Sequence, residues 1–214
     1  MKILLAVPTY ESIFPDVYRA LWKMDKGGHD VDFGVAMGYD VATARNKIVI
    51  AAQDRKCEYI LMVDNDVVVP KDALVNMLEG NYDVVLGHYA HRYRDGRPYD
   101  GTTCLCKLMD KEGNPYLGYP EESLYKAKEF EAARQRGEIK MPIHGGGMGC
   151  ALIKTSVFEQ LEYPWYKWVL YNTEHRGMLS EDLYFCEQLR RRGITIYADT
   201  RVGCAHILRW PQWP

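Results

Sequence analysis

Apolar and polar positions in the first hundred residues alternate between two rhythms. Residues 3–7 form an unbroken apolar run that stops at Pro8, the pattern of a strand buried on both faces. Val17, Leu21 and Met24 then recur at helical spacing, opened by Pro15 and Asp16 and stopped by Gly27. The alternation repeats. A second strand is read over 31–36, then a helix with Val41, Ala44, Ile48 and Ala51 on one face and Asp40 as its cap. A third strand covers 59–63, a short helix runs from Pro70 to near Gly80, and a fourth strand covers 83–86. This order predicts an α/β fold with a mainly parallel central sheet and helices on both faces, joined by right-handed crossovers.

The rhythm breaks after His88. Residues 101–109 read as a strand, 110–120 as turn-rich, and 121–136 as a polar helix with acids first, bases last and Gly137 as its stop. The weak apolar face of that helix predicts a surface position or a cover over an opening. A strand over 151–153, a short helix over 157–161 and an aromatic-rich connection over 161–178 follow. Ser180 caps a helix through Arg192, with Gly193 after it, and late strands cover 194–197 and 202–205. No internal repeat, low-complexity tract or linker divides the chain, so residues 1–214 are read as one domain.

Composition narrows the function classes. Hydrophobic residues are 47% of the chain and charged residues 26%, enough for a sizeable core with an ordinary polar surface. A formal net charge of −2 argues against a broad basic surface for nucleic acid. The Arg190-Arg191-Arg192 run falls at the end of a predicted helix, where it complements the carbonyl end. The N-terminal apolar run is too short for a signal peptide, and no window approaches the ~20 apolar residues of a membrane span. A cytoplasmic location is the default expectation. The six cysteines form no CxxC pair and are read as reduced, mostly buried thiols. Cys104 and Cys106 are one residue apart, a spacing that suits a strand better than a zinc knuckle.

Four features carry chemistry. The first is Asp64-Asn65-Asp66, delivered by the apolar run 59–63. In open α/β sheets ligands bind beyond the carboxyl ends of the strands. If extended geometry persists, residues 64 and 66 share a side. Two converging carboxylates repel unless a cation lies between them, and Mg²⁺ or Mn²⁺ with a bound diphosphate meets that need. A solvated turn after a strand is the plain alternative. The second is Glu181-Asp182 at a helix start, which is also how acids simply complement a helix dipole. The third is His206 after a late strand, either a metal ligand or a structural histidine. The fourth is Gly145-Gly146-Gly147-Met148-Gly149, a backbone able to approach a ligand closely or a flexible loop.

Their order is more informative than any one of them. A strand ending in Pro8-Thr9-Tyr10-Glu11 is followed by a helix with Ala44-Arg45-Asn46, then the acidic triplet, the glycine loop, Glu181-Asp182 and His206. This order resembles GT-A fold glycosyltransferases of the family 2-like, DxD-containing type, over nearly the whole chain. The resemblance implies a Rossmann-like domain, with residues 1–100 as the nucleotide-sugar half and 101–214 as the acceptor and catalytic half. It implies that Pro8, Thr9, Tyr10 and Glu11 hold the nucleotide, with Asn65 and Asp64 beside it, and that Asp32 or Asp40 contacts the base. It assigns Asp64, Asp66 and His206 to the metal, Gly146 and Gly147 to the donor sugar and acceptor, and Asp182, then Glu181, to the base of an inverting reaction. Arg45 is read either as a nucleotide contact or as a surface ion pair.

The implied reaction moves a sugar from a nucleoside-diphosphate sugar, of UDP or GDP type, to an acceptor hydroxyl. Mn²⁺ or Mg²⁺ would stabilise the leaving diphosphate. Asp182 at a helix start is expected to stay ionised. Trp165, Tyr166 and Trp168 either stack on sugar rings or pack against their own domain. The tail with Trp210, Pro211, Trp213 and Pro214 covers the site or binds a partner chain, which makes an oligomer conceivable. Two readings compete. One is a sugar nucleotidyltransferase, disfavoured because Pro8-Thr9-Tyr10-Glu11 replaces the basic glycine loop that follows the first strand in such enzymes. The other is a non-catalytic nucleotide- or carbohydrate-binding protein.

Overall fold

The N-terminal apolar run becomes β1 (Lys2–Thr9), buried from its second residue onward. It lies between β2 (Asp30–Met37) and β3 (Tyr59–Val63), parallel to both. The crossovers carry α1 (Pro15–Lys23) and α2 (Val41–Asp54). In this computed structural model residues 1–92, 100–110, 112–113, 119–172 and 177–207 are described. The remaining elements are β4 (Val67–Val68), α3 (Ala73–Leu78), β5 (Val84–His88), β6 (Thr102–Cys106), β7 (Leu124–Lys126), α4 (Ala127–Gln135), β8 (Lys140–Ile143), β9 (Gly145–Gly146), β10 (Cys150–Lys154), β11 (Val169–Asn172), β12 (Gly177–Leu179), α5 (Glu181–Arg191), β13 (Ile196–Gly203) and β14 (Ala205–His206).

Seven strands form the central sheet in the order β2-β1-β3-β10-β5-β13-β8. β1, β2, β3, β5 and β13 share one direction, and β10 and β8 oppose them. The mainly parallel sheet expected from the sequence is therefore present. Strand alternation divides the core between its two faces. Leu4, Ala6, Ile60 and Met62 pack with Ile48 and Val49 of α2, Phe130 of α4 and Phe185 of α5. Ile3, Leu5, Val7, Leu61 and Val63 pack with Val17 and Leu21 of α1 and Leu74 and Met77 of α3.

Several expectations shift. The segment 121–136 does not form one helix. Residues 124–126 pair with β6, and α4 begins only at Ala127. Its apolar side is not weak in place, because Phe130 is fully buried and stacks on His88 at 4.4 Å between ring centroids. The two late strands are largely one, β13, with a register shift between Ala198 and Gly203. Trp165 and Tyr166 are buried against Phe158 and Phe185, so they serve the core, while Trp168 is exposed.

All six cysteines are free thiols. Among the described residues no helix is long and apolar enough to cross a membrane. The C-terminal tail with Trp210 and Trp213 lies outside the described residues, as does 93–97.

Candidate functional site

The carboxyl ends of β1, β3 and β5 lie at one edge of the sheet, and Asp64, Asp66, Glu181 and Asp182 stand there. β3 stops at Val63, and the Val67 N–H donates to the Asp64 carbonyl at 3.1 Å. That turn ends the extended geometry which would have placed residues 64 and 66 on one side. The two carboxylates accordingly take different partners, Asp64 pairing with Arg45 and Asp66 with Arg92 and His206. Among the described residues no group of three His, Cys, Asp or Glu side chains is placed to hold a metal.

Asp64 turns inward to Arg45. The guanidinium is 1% exposed and donates from Nη2 to Asp64 Oδ1 at 3.1 Å and from Nε to Asp182 Oδ1 at 3.2 Å. Glu181 Oε1 lies 4.0 Å from Nη2. Arg45 is thus a buried ion-cluster member rather than a surface ion pair. Its fork is occupied in tying the acidic triplet to the first turn of α5. Burial pushes Asp64 up to about 6, against the pull of Arg45 and with added repulsion from Asp182 and Asp66. Burial likewise raises Asp182 to about 7, with Arg45 opposing and Glu181 reinforcing the rise. Burial, reinforced by Glu181, therefore works against the ready ionisation expected of Asp182 at a helix start. Ser180 caps that helix as expected, accepting from the Leu183 N–H. Asp182 Oδ2 also accepts from the Met148 N–H at 3.1 Å, which fixes the glycine loop against α5.

Asp66 turns the other way. β14 pairs antiparallel with β4, His206 opposite Val67, and the Ile207 N–H donates to the Asp66 carbonyl at 2.8 Å. This two-residue ladder sets His206 Nε2 3.5 Å from Asp66 Oδ2. His206 Nδ1 lies 2.8 Å from the Ala90 carbonyl oxygen. A carbonyl only accepts, so Nδ1 carries a hydrogen; Nε2 turns to Asp66, donating to it when protonated and offering a lone pair in the neutral ring, the orientation of a histidine held by a backbone oxygen. Burial works to raise Asp66, but hydrogen bonds with His206 and Arg92 hold it below the usual carboxylate range. The donor set, one carboxylate and one imidazole, fits Mn²⁺ or Mg²⁺ that keeps further positions for phosphate and water oxygens.

The other predicted residues have structural explanations as well as positions. Asn65 donates from Nδ2 to Thr9 Oγ1 at 3.1 Å and to the Ser12 carbonyl at 2.7 Å, stitching the loop after β1 to the acidic turn. Pro8 and Thr9 are buried in β1, and Tyr10 and Glu11 project from its end into solvent. Asp40 caps α2 through the Thr43 N–H just beyond the carboxyl end of β2, and Asp32 lies within β2, paired loosely with Lys2 at 3.8 Å. Gly146 belongs to β9, where a Cβ would lie 2.5 Å from Leu105 and 2.7 Å from the Cys104 carbonyl oxygen. Gly147 is half-buried against Tyr89, and a Cβ at Gly149 would lie 2.7 Å from the same ring. Close packing, not conformational freedom, explains these glycines.

Three contributors were not expected from the sequence. Arg92 Nη2 lies 2.7 Å from Asp66 Oδ2. Tyr89 accepts the Gly149 N–H at 2.9 Å on its hydroxyl and packs edge-on to His206. Asn46 holds the Tyr166 backbone through two hydrogen bonds, to its carbonyl at 2.7 Å and from its N–H at 3.2 Å. Arg45 and Asn46 share the buried side of α2 with Ala42, Ile48, Val49 and Ala52. Polar side chains within an apolar stripe were the available signal.

No protein-family model and no curated protein matches the sequence. Solved structures do match. The chain is similar to A197 from STIV, with a TM-score of 0.59 and 16% identity, over 98% of this chain and 87% of that one. It is similar to GalNAc-T7, solved with UDP, GalNAc and Mn²⁺, with a TM-score of 0.56 and 12% identity over 98% of this chain. It is also similar to TarS from S. aureus, with a TM-score of 0.50 and 16% identity over 97% of this chain. The fold is GT-A. The chain spans 44% of the GalNAc-T7 chain and 37% of the TarS chain, so both carry much that has no counterpart in the match.

Proposed function

We propose that this protein is a glycosyltransferase, moving a sugar from a nucleoside-diphosphate sugar of UDP or GDP type to an acceptor hydroxyl. The observation that carries the reading is the β4–β14 ladder, which sets His206 against Asp66 at the carboxyl edge of a GT-A sheet. GalNAc-T7, of the same fold, was solved with UDP, GalNAc and Mn²⁺, which supports a nucleotide and a divalent ion at this edge. Asp66 and His206 are the residues that would hold Mn²⁺ or Mg²⁺. Such an ion supplies Lewis-acid stabilisation of the charge that develops on the departing diphosphate.

The remaining roles belong to the chain. The loop 8–11, held to the acidic turn by Asn65, borders the nucleotide, and Asp64 faces the same edge. Asp182 is the base that takes the proton of the acceptor hydroxyl, consistent with an inverting reaction. It is partly accessible, with 16% of its side chain exposed against 5% for Glu181, and its raised pKa suits proton transfer near neutrality. Arg45 orients Asp182 and Asp64 together. The glycine loop closes over them through Met148 and Gly149.

A thermal-shift panel of UDP, GDP, CDP and their sugars, with and without Mn²⁺, tests the reading on the wild type and on Asp66→Ala. The expected result is a Mn²⁺-dependent shift with one nucleotide class that Asp66→Ala loses. An undiminished Mn²⁺-dependent shift in the variant rejects the assignment of Asp66. Absence of any turnover of the bound sugar nucleotide, by transfer or hydrolysis, would favour a binding protein instead.

A further inference from the structure

The Asp66–His206 pair already holds a cation, and it comes from the chain. Arg92 Nη2 lies 2.7 Å from Asp66 Oδ2, 3.2 Å from His206 Nε2 and 3.3 Å from the Ile207 carbonyl oxygen. One nitrogen with two hydrogens faces three acceptors, so its hydrogen bonds are shared rather than matched one to one. A carboxylate oxygen, an imidazole lone pair and a carbonyl oxygen around one positive centre form a set that a divalent ion satisfies at least as well. The two cations cannot occupy that place together, because like charges at such separations repel strongly. Arg92 is also free to leave, since half of its side chain is exposed.

We propose that Arg92 is the resident counter-cation of this pair, excluding a divalent ion from Asp66 and His206 until a nucleoside diphosphate arrives. This rests on the metal part of the reading above. In the free protein the guanidinium neutralises Asp66, and an entering ion must displace it for only two side-chain ligands and one carbonyl. With a diphosphate present the ion gains phosphate oxygens. The displaced guanidinium gains a new anion as well, which its planar fork binds in bidentate fashion. Ion and nucleotide therefore enter together, and Arg92 changes partner from Asp66 to the diphosphate.

Titration of Mn²⁺ alone, followed by loss of the free-ion paramagnetic resonance signal, separates the outcomes. The proteins are wild type, Arg92→Gln and Arg92→Gln/Asp66→Asn, each first checked for an unchanged melt. Release from a charge-assisted hydrogen bond predicts that Arg92→Gln binds Mn²⁺ roughly tenfold or more tightly than wild type. Adding Asp66→Asn removes that gain. With UDP or GDP present, the gap between wild type and Arg92→Gln narrows. Equal or weaker Mn²⁺ affinity in Arg92→Gln overturns the proposal, whatever the nucleotide does. If neither protein binds Mn²⁺ in any mixture, the metal assignment falls with it, while a metal-free nucleotide shift would leave the nucleotide reading standing.

Discussion

Replacing Arg45 by Met removes one buried cation from among three carboxylates, at 3.1, 3.2 and 4.0 Å, and leaves a side chain of similar length. Breaking a buried ion pair from one side costs about 3–5 kcal/mol, because the partner charges stay desolvated. For a chain of this size each kcal/mol moves Tm by roughly 2–4 °C, so Tm should fall by roughly 6–20 °C. The pH dependence follows from the sign of the shifts. Asp64 and Asp182 are already raised, to about 6 and about 7, and Arg45 lowers both. Without it they rise further. An acid whose folded pKa lies above its unfolded value binds more protons when folded. Its penalty is absent below the unfolded pKa and grows as pH rises through the folded one. The deficit of Arg45→Met should therefore be small near about pH 5 and large near about pH 8. Urea denaturation followed by circular dichroism at both values measures it. Adding Asp64→Asn and Asp182→Asn should recover part of the loss at the higher pH. A deficit below about 1 kcal/mol at the higher pH, or an equal one at both, would refute the idea that Arg45 neutralises this cluster.

Further outcomes follow from the same geometry. Asp182→Asn should retain the nucleotide thermal shift while transfer falls by about a hundredfold or more, the range of a lost general base; undiminished turnover would move that role elsewhere. In the wild type kcat/KM should climb as pH rises through about 7, because the base must be deprotonated, and a flat profile there removes Asp182 from the role. Gly149→Ala pushes a methyl to 2.7 Å from the Tyr89 ring and should cost about 1–3 kcal/mol in denaturant; an unchanged midpoint would mean that the loop is loosely packed. His206→Ala should weaken Mn²⁺ retention in the presence of nucleotide with little change in melting of the free protein, and equal retention would exclude the imidazole as a ligand.

The first half of the fold was legible because β1, β3 and β5 are buried on both faces and its helices carry apolar stripes, both strong local signals. The second half was less so. Residues 121–136 have helical composition throughout, yet Leu124–Lys126 are held as β7 by the neighbouring β6, a tertiary effect that no local pattern carries. β4, β9 and β14 have two residues each and exist only through their partners. The β4–β14 pair is the one that delivers His206, so an important local structure of the site was the least visible in advance.

The acidic motif shows the same limit from another side. Its residues and their neighbourhood were read from their order along the chain, but their geometry depends on where β3 ends. The turn closing on the Asp64 carbonyl separates two side chains that an extended strand would have held together. Once they diverge, each carboxylate needs its own positive partner. Asp64 has Arg45, enclosed and fixed in α2, while Asp66 has Arg92, half exposed. An enclosed guanidinium cannot be exchanged without opening the core, whereas an exposed one can yield to an incoming ion. Burial, a property that sequence order does not report, therefore separates the two arginines rather than the two carboxylates, and only the exposed one suits the exchange proposed for Asp66.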